Sequence, residues 1–330
     1  MPKITTYDFI DANRRKTIWL MVLFPLSLAI LVYIVLLIFE GFGAPASREV
    51  SPIDAANRIA LVVLPLVSLA AIIWILISYF YGQNFILRMA NAKEITNQTP
   101  EEKEILRLVE NIAITAGLPM PKVYAINDNS LNAFATGRDP QHSYVVLTKG
   151  IINKLSKSEL EGVIAHEMAH IGNRDIRLML IMVVCISVAT IAAQILLRIG
   201  LTRGRGKNNS KAQILFLALG IAFYLYGYMI APLIKLAVSR TREFQADATA
   251  ALITRNPEGL ANALRKISGN PVVENLKDKE TMAAMCIASP LSEEKKSSFF
   301  SKLSGLYATH PPITERIKAL ETMDGQRGQV

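Results

Sequence analysis

His166-Glu167-Met168-Ala169-His170 holds the residue types of a metal-dependent hydrolase at a workable spacing. Two histidines four positions apart on an α-helix lie one turn apart on the same face, so both imidazoles can reach one ion. Glu167, beside the first histidine, can hold an activated water and take its proton during peptide hydrolysis. Two nitrogen ligands, a third protein ligand from elsewhere and one open position describe a catalytic zinc site, so one Zn2+ is the expected cofactor. The third ligand is sought in Arg242-Glu243-Phe244-Gln245-Ala246-Asp247, where Glu243 and Asp247 share a helix face. On its own that segment, with Arg240 and Arg242 nearby, reads as a solvated charged turn. Beside a two-histidine motif that lacks a ligand, Glu243 becomes the expected third ligand and Asp247 the acceptor that orients a histidine N–H.

The motif needs a helix, and the flanking residues predict one. Ser156 and Glu159 form a capping box, Leu160, Val163, Ile164 and Met168 recur at helical spacing, and Gly172 follows as a stop signal. Upstream, Thr99-Pro100-Glu101-Glu102 opens an amphipathic helix that runs to about Ala116, with Gly117, Pro119 and Pro121 ending it. Three extended runs follow, at 122–126, 133–136 and 143–148, with Arg138-Asp139-Pro140-Gln141 as the turn between the last two and His142 as an exposed loop histidine. A small sheet therefore precedes the metal helix, and the catalytic part is α+β. The stretch 132–137 is read as an exposed strand edge on which a substrate backbone could pair. Ala133, Ala135 and Gly137 would leave room for a second chain, and the Asn132 amide could bond a substrate carbonyl. The competing reading is a short strand with a core-facing Phe134. Further on, Leu260, Ala263, Leu264 and Ile267 suggest another amphipathic helix, 289–304 reads as a Ser/Lys-rich loop, and a helix with Arg316, Ile317 and Leu320 closes the chain.

What carries these elements is hydrophobic beyond the habit of a soluble enzyme. Apolar residues make up 51% of the 330, and the excess lies in four charge-free runs at 17–39, 59–87, 178–197 and 212–234. Each is long enough to cross a hydrocarbon core as a helix of about 20 residues. The first run is too long for a signal-peptide core and is expected to stay as an anchor. Four parts follow: 1–90, a tail and two membrane helices; 91–177, a protease part with the sheet and the metal helix; 178–237, a second hydrophobic pair; and 238–330, the remainder of the protease part with the third ligand.

Lys3, Arg14, Arg15 and Lys16 precede the first run, whereas 41–57 offers only Arg48. The amino terminus and the segment from 88 to about 176 are therefore expected on the cytoplasmic side. The second pair is less clean, because Arg198, Arg203, Arg205, Lys207 and Lys211 lie in its connecting loop; spanning is the favoured reading, partial burial the alternative. Seven residues separate His170 from the third run, which puts the metal roughly 12 Å from the membrane boundary. Glu243 lies eight residues beyond Lys235, at a matching height, so two membrane helices can bring the histidines and Glu243 side by side. The net charge of +9 fits attraction to anionic lipid, and no basic–aromatic stripe argues for nucleic acid. Two cysteines, Cys185 and Cys286, make neither a disulfide framework nor a thiolate zinc site.

These residues, in this order, resemble the HtpX-type membrane zinc metalloproteases, which are related to the CAAX prenyl-protein endopeptidases. The resemblance rests on Asn13-Arg14-Arg15-Lys16-Thr17, on Asn132-Ala133-Phe134-Ala135-Thr136-Gly137, and on 166–170 with Asn173 and Asp175. It continues through Arg242-Glu243-Phe244 with Ala246-Asp247, and ends at His310-Pro311-Pro312 with Arg316. It implies a gluzincin-like fold with zinc held by two histidines and a glutamate, and Asp175 joining Asp247 behind the ligands. It further implies proteolysis of damaged or misassembled membrane proteins at the bacterial cytoplasmic membrane, and makes His310 and Arg316 candidates for contacting substrate or the developing oxyanion. The region 268–306 matches least. An inactive membrane scaffold of the same fold is the alternative, which an intact Glu167 opposes. A metal transporter would place ionisable ligands near the bilayer midplane, and the four runs hold none.

Overall fold

The computed structural model describes residues 6–42, 50–202, 210–237, 240–269, 286–287 and 311–327. The chain forms two compact units. One comprises Met1–Arg15, Phe80–Leu180 and Pro232–Val330, and the other Lys16–Tyr79 and Ile181–Ala231. The second unit is built from the apolar lengths of α1 (Thr6–Phe42), α2 (Pro52–Met89), α6 (Asp175–Thr202) and α7 (Ser210–Ala237). All four helices are long and apolar enough to cross a membrane, over Ile10–Gly41, Pro52–Met89, Asp175–Thr202 and Ala212–Met229. The expected runs thus correspond to helices, and the second pair qualifies by length and composition with the first. The loop expected over 289–304 and the arginines and lysine at 203–207 lie outside the described residues.

The first unit holds the sheet, of order β1-β2-β4-β3, from β1 (Ala92–Glu94), β2 (Lys122–Ile126), β3 (Ala133–Asp139) and β4 (His142–Thr148). β2 and β4 pair in parallel and the other pairs are antiparallel, which leaves β3 at one edge. β1 escapes sequence analysis because Ala-Lys-Glu has no apolar alternation and is held as a strand by pairing with β2 alone. The hairpin is tighter than expected. β3 continues to Asp139, and His142 begins β4 instead of lying in a loop, its Nδ1 2.8 Å from Asp139 Oδ1 and its ring half-exposed.

Ahead of β2, α3 (Pro100–Ala116) is capped by Thr99, whose hydroxyl accepts from the Glu102 N–H at 3.2 Å. The returning Glu102 carboxylate reaches one residue further than in a standard box, to the Gln98 N–H at 2.8 Å. The helix ends as its sequence demands, at Gly117 with φ 65°, a left-handed conformation that costs glycine little.

At the centre of the unit lies α5 (Lys157–Gly172), preceded by the short α4 (Lys149–Lys154). It packs against α3, β3, α8 (Arg240–Thr254) and α9 (Pro257–Gly269), and α10 (Ile313–Arg327) lies against α8 and α9. Its capping box is present in full: Glu159 accepts from the Ser156 N–H at 2.7 Å, and its carboxylate also receives the Lys266 ammonium at 2.7 Å. Gly162 admits α9 closely, since a Cβ there would come 2.9 Å from Leu260 Cα. Val163, Ile164 and Met168 are fully enclosed, and truncating either of the larger two to alanine costs roughly 2–5 kcal/mol. The helix stops at Gly172, but not by a left-handed glycine. Asn173 caps it in a right-handed conformation and Arg174, at φ 58°, makes the reversal into α6.

Candidate active site

On α5 the two histidines project from adjacent turns, and Glu243 comes from the first turn of α8. His166, His170 and Glu243 offer three ligand atoms within 4.8 Å of one another. The two Nε2 atoms stand 3.2 Å apart, and the Glu243 oxygens lie 3.8 Å from His166 Nε2 and 3.6 Å from His170 Nε2. Ligands at about 2.0–2.2 Å from one tetrahedral ion are separated by roughly 3.3–3.6 Å, so this donor set fits one zinc ion. The structure brings Glu243 of α8 beside the two histidines of α5.

Each histidine is backed by its own carboxylate. His166 Nδ1 is 2.9 Å from Asp247 Oδ1, and His170 Nδ1 is 2.9 Å from Asp175 Oδ2. An Nδ1–H held by a carboxylate leaves the Nε2 lone pair for the metal. Burial pushes His166 down, Arg316 adds to this, and the Asp247 bond does not offset them, so its pKa falls to about 4. Burial also opposes the charged form of His170, but the Asp175 bond and the Glu243 charge outweigh it and raise the value to about 9.

Glu167 is 2% exposed. Burial is the largest influence on its carboxyl and Glu243 adds to it, while His170 and the Ala135 N–H favour the charged form; the pKa rises to about 7. A carboxylate poised near neutrality can both take and return a proton.

Arg316 is wholly enclosed and binds Asp247 with a two-pronged grip, Nε to Oδ2 at 2.8 Å and Nη2 to Oδ1 at 2.7 Å. Its Nη1 donates to the Ile287 carbonyl at 3.1 Å and lies 3.6 Å from Glu243 Oε2. The fork holds the Asp247 pKa at about 2 despite burial.

The stretch 132–137 forms the edge strand β3 and its lead-in. Asn132 is buried, its Oδ1 accepting from the Ala133 N–H at 3.0 Å. Phe134 is buried and opposite Val146, while Ala133 and Ala135 belong to the core beneath α5. The Ala133 carbonyl accepts from the Ile287 N–H at 2.9 Å, and the Ala135 N–H lies close enough to Glu167 to favour its charge. Residues two apart on a strand turn their backbone groups to the same side, so this edge faces the catalytic base. His310 lies outside the described residues.

Three participants are missed by sequence reasoning. Asn13 donates from Nδ2 to Asp175 Oδ1 at 2.7 Å, and Arg242 Nη1 reaches the same oxygen at 3.0 Å. Both belong to motifs quoted above, yet nothing local reveals their shared partner. Cys286, remote in sequence, is buried near Glu167, and burial with that nearby charge pushes its thiol well above the ordinary range.

The profile of Peptidase family M48 matches residues 99–324. The chain is 40% identical over 314 residues to the Protease HtpX homolog of Bacteroides fragilis, covering 94% of this chain and 96% of that protein. It is 37% identical over 328 residues to the Protease HtpX homolog of Dictyoglomus turgidum, covering 99% and 97%. Among solved structures it is similar to the crystal structure of S. mikatae Ste24p, at 20% identity and a TM-score of 0.45, and spans 91% of its own length and 65% of that chain. A family match over most of the chain, and relatives of this identity named as proteases along nearly their full length, establish that the chain belongs to Peptidase family M48 and is a multi-pass membrane metalloprotease.

Proposed function

We propose that this protease is a zinc endopeptidase that hydrolyses damaged or misfolded membrane proteins at the cytoplasmic face of a bacterial inner membrane. The observation that carries the zinc site is the convergence of His166, His170 and Glu243 on one point, with Glu167 adjacent and a carboxylate behind each histidine. When bound there, zinc would polarise the scissile carbonyl and acidify a water. The work of this chain's own side chains follows from their positions. Glu167 accepts the proton from that water and returns it to the leaving nitrogen, a cycle its pKa of about 7 permits. Asp247 and Asp175 hold the imidazoles by Nδ1, which leaves both Nε2 atoms and Glu243 to hold the ion, and Arg316 fixes Asp247. For Arg316 this makes support of Asp247 the favoured role.

Substrate, in this reading, pairs with the edge of β3. Among the described residues that strand has a sheet neighbour on one side only, and its Ala133 carbonyl accepts from the Ile287 N–H, the kind of backbone bond an extended peptide would offer. Backbone pairing is indifferent to side chains, which suits a protease for many misfolded proteins. The cytoplasmic assignment is supported by Arg14, Arg15 and Lys16 ahead of the first span and by Arg88 and Lys93 after the second.

The test is metal dependence in the detergent-purified full chain. Cleavage of an unfolded protein such as casein should stop when a chelator strips the metal and return with about one equivalent of Zn2+ per chain. Cleavage that survives removal of all bound metal would overturn the reading.

A further inference from the structure

The first helix enters the metal site through one side chain. Asn13 lies near the start of α1, 3% exposed, and touches three separate pieces of the catalytic unit. Its Nδ2 donates to the Asn173 carbonyl at 3.1 Å and to Asp175 Oδ1 at 2.7 Å, and its Oδ1 accepts from Arg242 Nη1 at 3.3 Å. The amide orientation is set by chemistry: reversing it would put oxygen against two acceptors and nitrogen against a guanidinium. Asn173 caps the metal helix, Asp175 opens α6, and Arg242 precedes the ligand Glu243.

The two oxygens of Asp175 have divided duties. Oδ1 receives Asn13 and Arg242, and Oδ2 faces His170 Nδ1 at 2.9 Å. Two donors on one oxygen restrain the carboxylate's rotation, which keeps the other oxygen turned toward His170 Nδ1. Arg242 alone leaves a single pivot, and without Asn13 it also loses an acceptor. The geometry points to Asn13 as a positioning residue for the metal site, acting through Asp175 on the His170 ring, so that the amino-terminal turns of α1 help to set the metal geometry. This rests on the zinc reading above.

The test uses the full-length chain in detergent, with Zn2+ affinity measured by competition and the visible spectrum recorded with Co2+ in place of zinc. Asn13→Ala should weaken Zn2+ binding about tenfold, at the low end for loss of support behind a ligand. It should also shift the Co2+ visible bands and lower kcat with KM nearly unchanged. In an Asp175→Ala background the same substitution should cause no further loss of affinity, because its route to the metal is already gone. Asn13→Ser keeps one donor and should fall between Asn13→Ala and the unsubstituted chain, which covers the case where Asn13→Ala does not fold. Unchanged affinity and spectrum in either variant would overturn the proposal, as would an equal extra loss in the Asp175→Ala background. If the unsubstituted chain binds no zinc, the metal reading itself fails and takes this one with it.

Discussion

Glu243 and Asp247 lie four apart on α8, and both approach His166, but from different nitrogens. Glu243 faces Nε2 at 3.8 Å and Asp247 faces Nδ1 at 2.9 Å. One is therefore a ligand and the other a support, and their losses should differ. Glu243→Ala should abolish zinc binding, because two histidines hold the ion poorly. Asp247→Ala should weaken it roughly ten- to a hundredfold, and should also destabilise the fold, because it takes the two-pronged partner from the enclosed Arg316 guanidinium and leaves it only the Ile287 carbonyl and the more distant Glu243 carboxylate. Metal analysis and thermal unfolding of both variants separate the roles; zinc retained in Glu243→Ala and lost in Asp247→Ala would exchange them. His166, Glu167 and His170 are legible from spacing alone, and Glu243 from its matching height beyond a membrane helix. The partners of Arg316 and Asn13 are not, because Arg316–Asp247 and Asn13–Asp175 are contacts between segments distant in sequence. Periodicity speaks for neighbours along one element and is silent about such pairs.

Two elements bracket the chemistry, the edge strand and the metal helix. In β3 the Ala135 N–H lies beside Glu167, so Ala135→Pro should remove that donor while sparing the zinc ligands. The expected outcome is a raised KM or lost cleavage with normal zinc content; unchanged kinetics in a folded variant would remove β3 from substrate binding. In α5 the cap carries a pH signature. Burial pulls the Glu159 carboxyl up, but Lys266 and the Ser156 N–H outweigh it and leave the pKa below its ordinary 4.5. A group lowered in the folded state stabilises above its unfolded value, and that contribution is lost as pH falls through the folded one. Glu159→Gln should thus cost about 1–2 kcal/mol near neutrality, and the gap in Tm to the unsubstituted chain should close as pH drops below 4.5. A gap that stays constant with pH would show that charge on Glu159 contributes nothing. The capping box at Ser156 and the strands at 122–126 and 143–148 are readable because local chemistry specifies them. β1 is not, since three polar-leaning residues become a strand only by pairing with β2.

For the molecule as a whole, the four apolar helices are legible from length and the absence of charge, whereas their sidedness rests on the lysines and arginines that flank them. Reporter fusions near Arg14 and Leu131 should report the cytoplasm and one near Ala44 the opposite side; an external Leu131 would reverse the assignment of the active site. The central claim, that one zinc held by His166, His170 and Glu243 acts with Glu167 as base, is tested most directly on the intact, detergent-purified chain. Zinc content and casein cleavage of Glu167→Gln are measured beside the unsubstituted protein. The expected result is equal zinc, about one ion per chain, with cleavage slower by at least ~10² to 10⁴. Near-normal turnover in Glu167→Gln with zinc in place would contradict it.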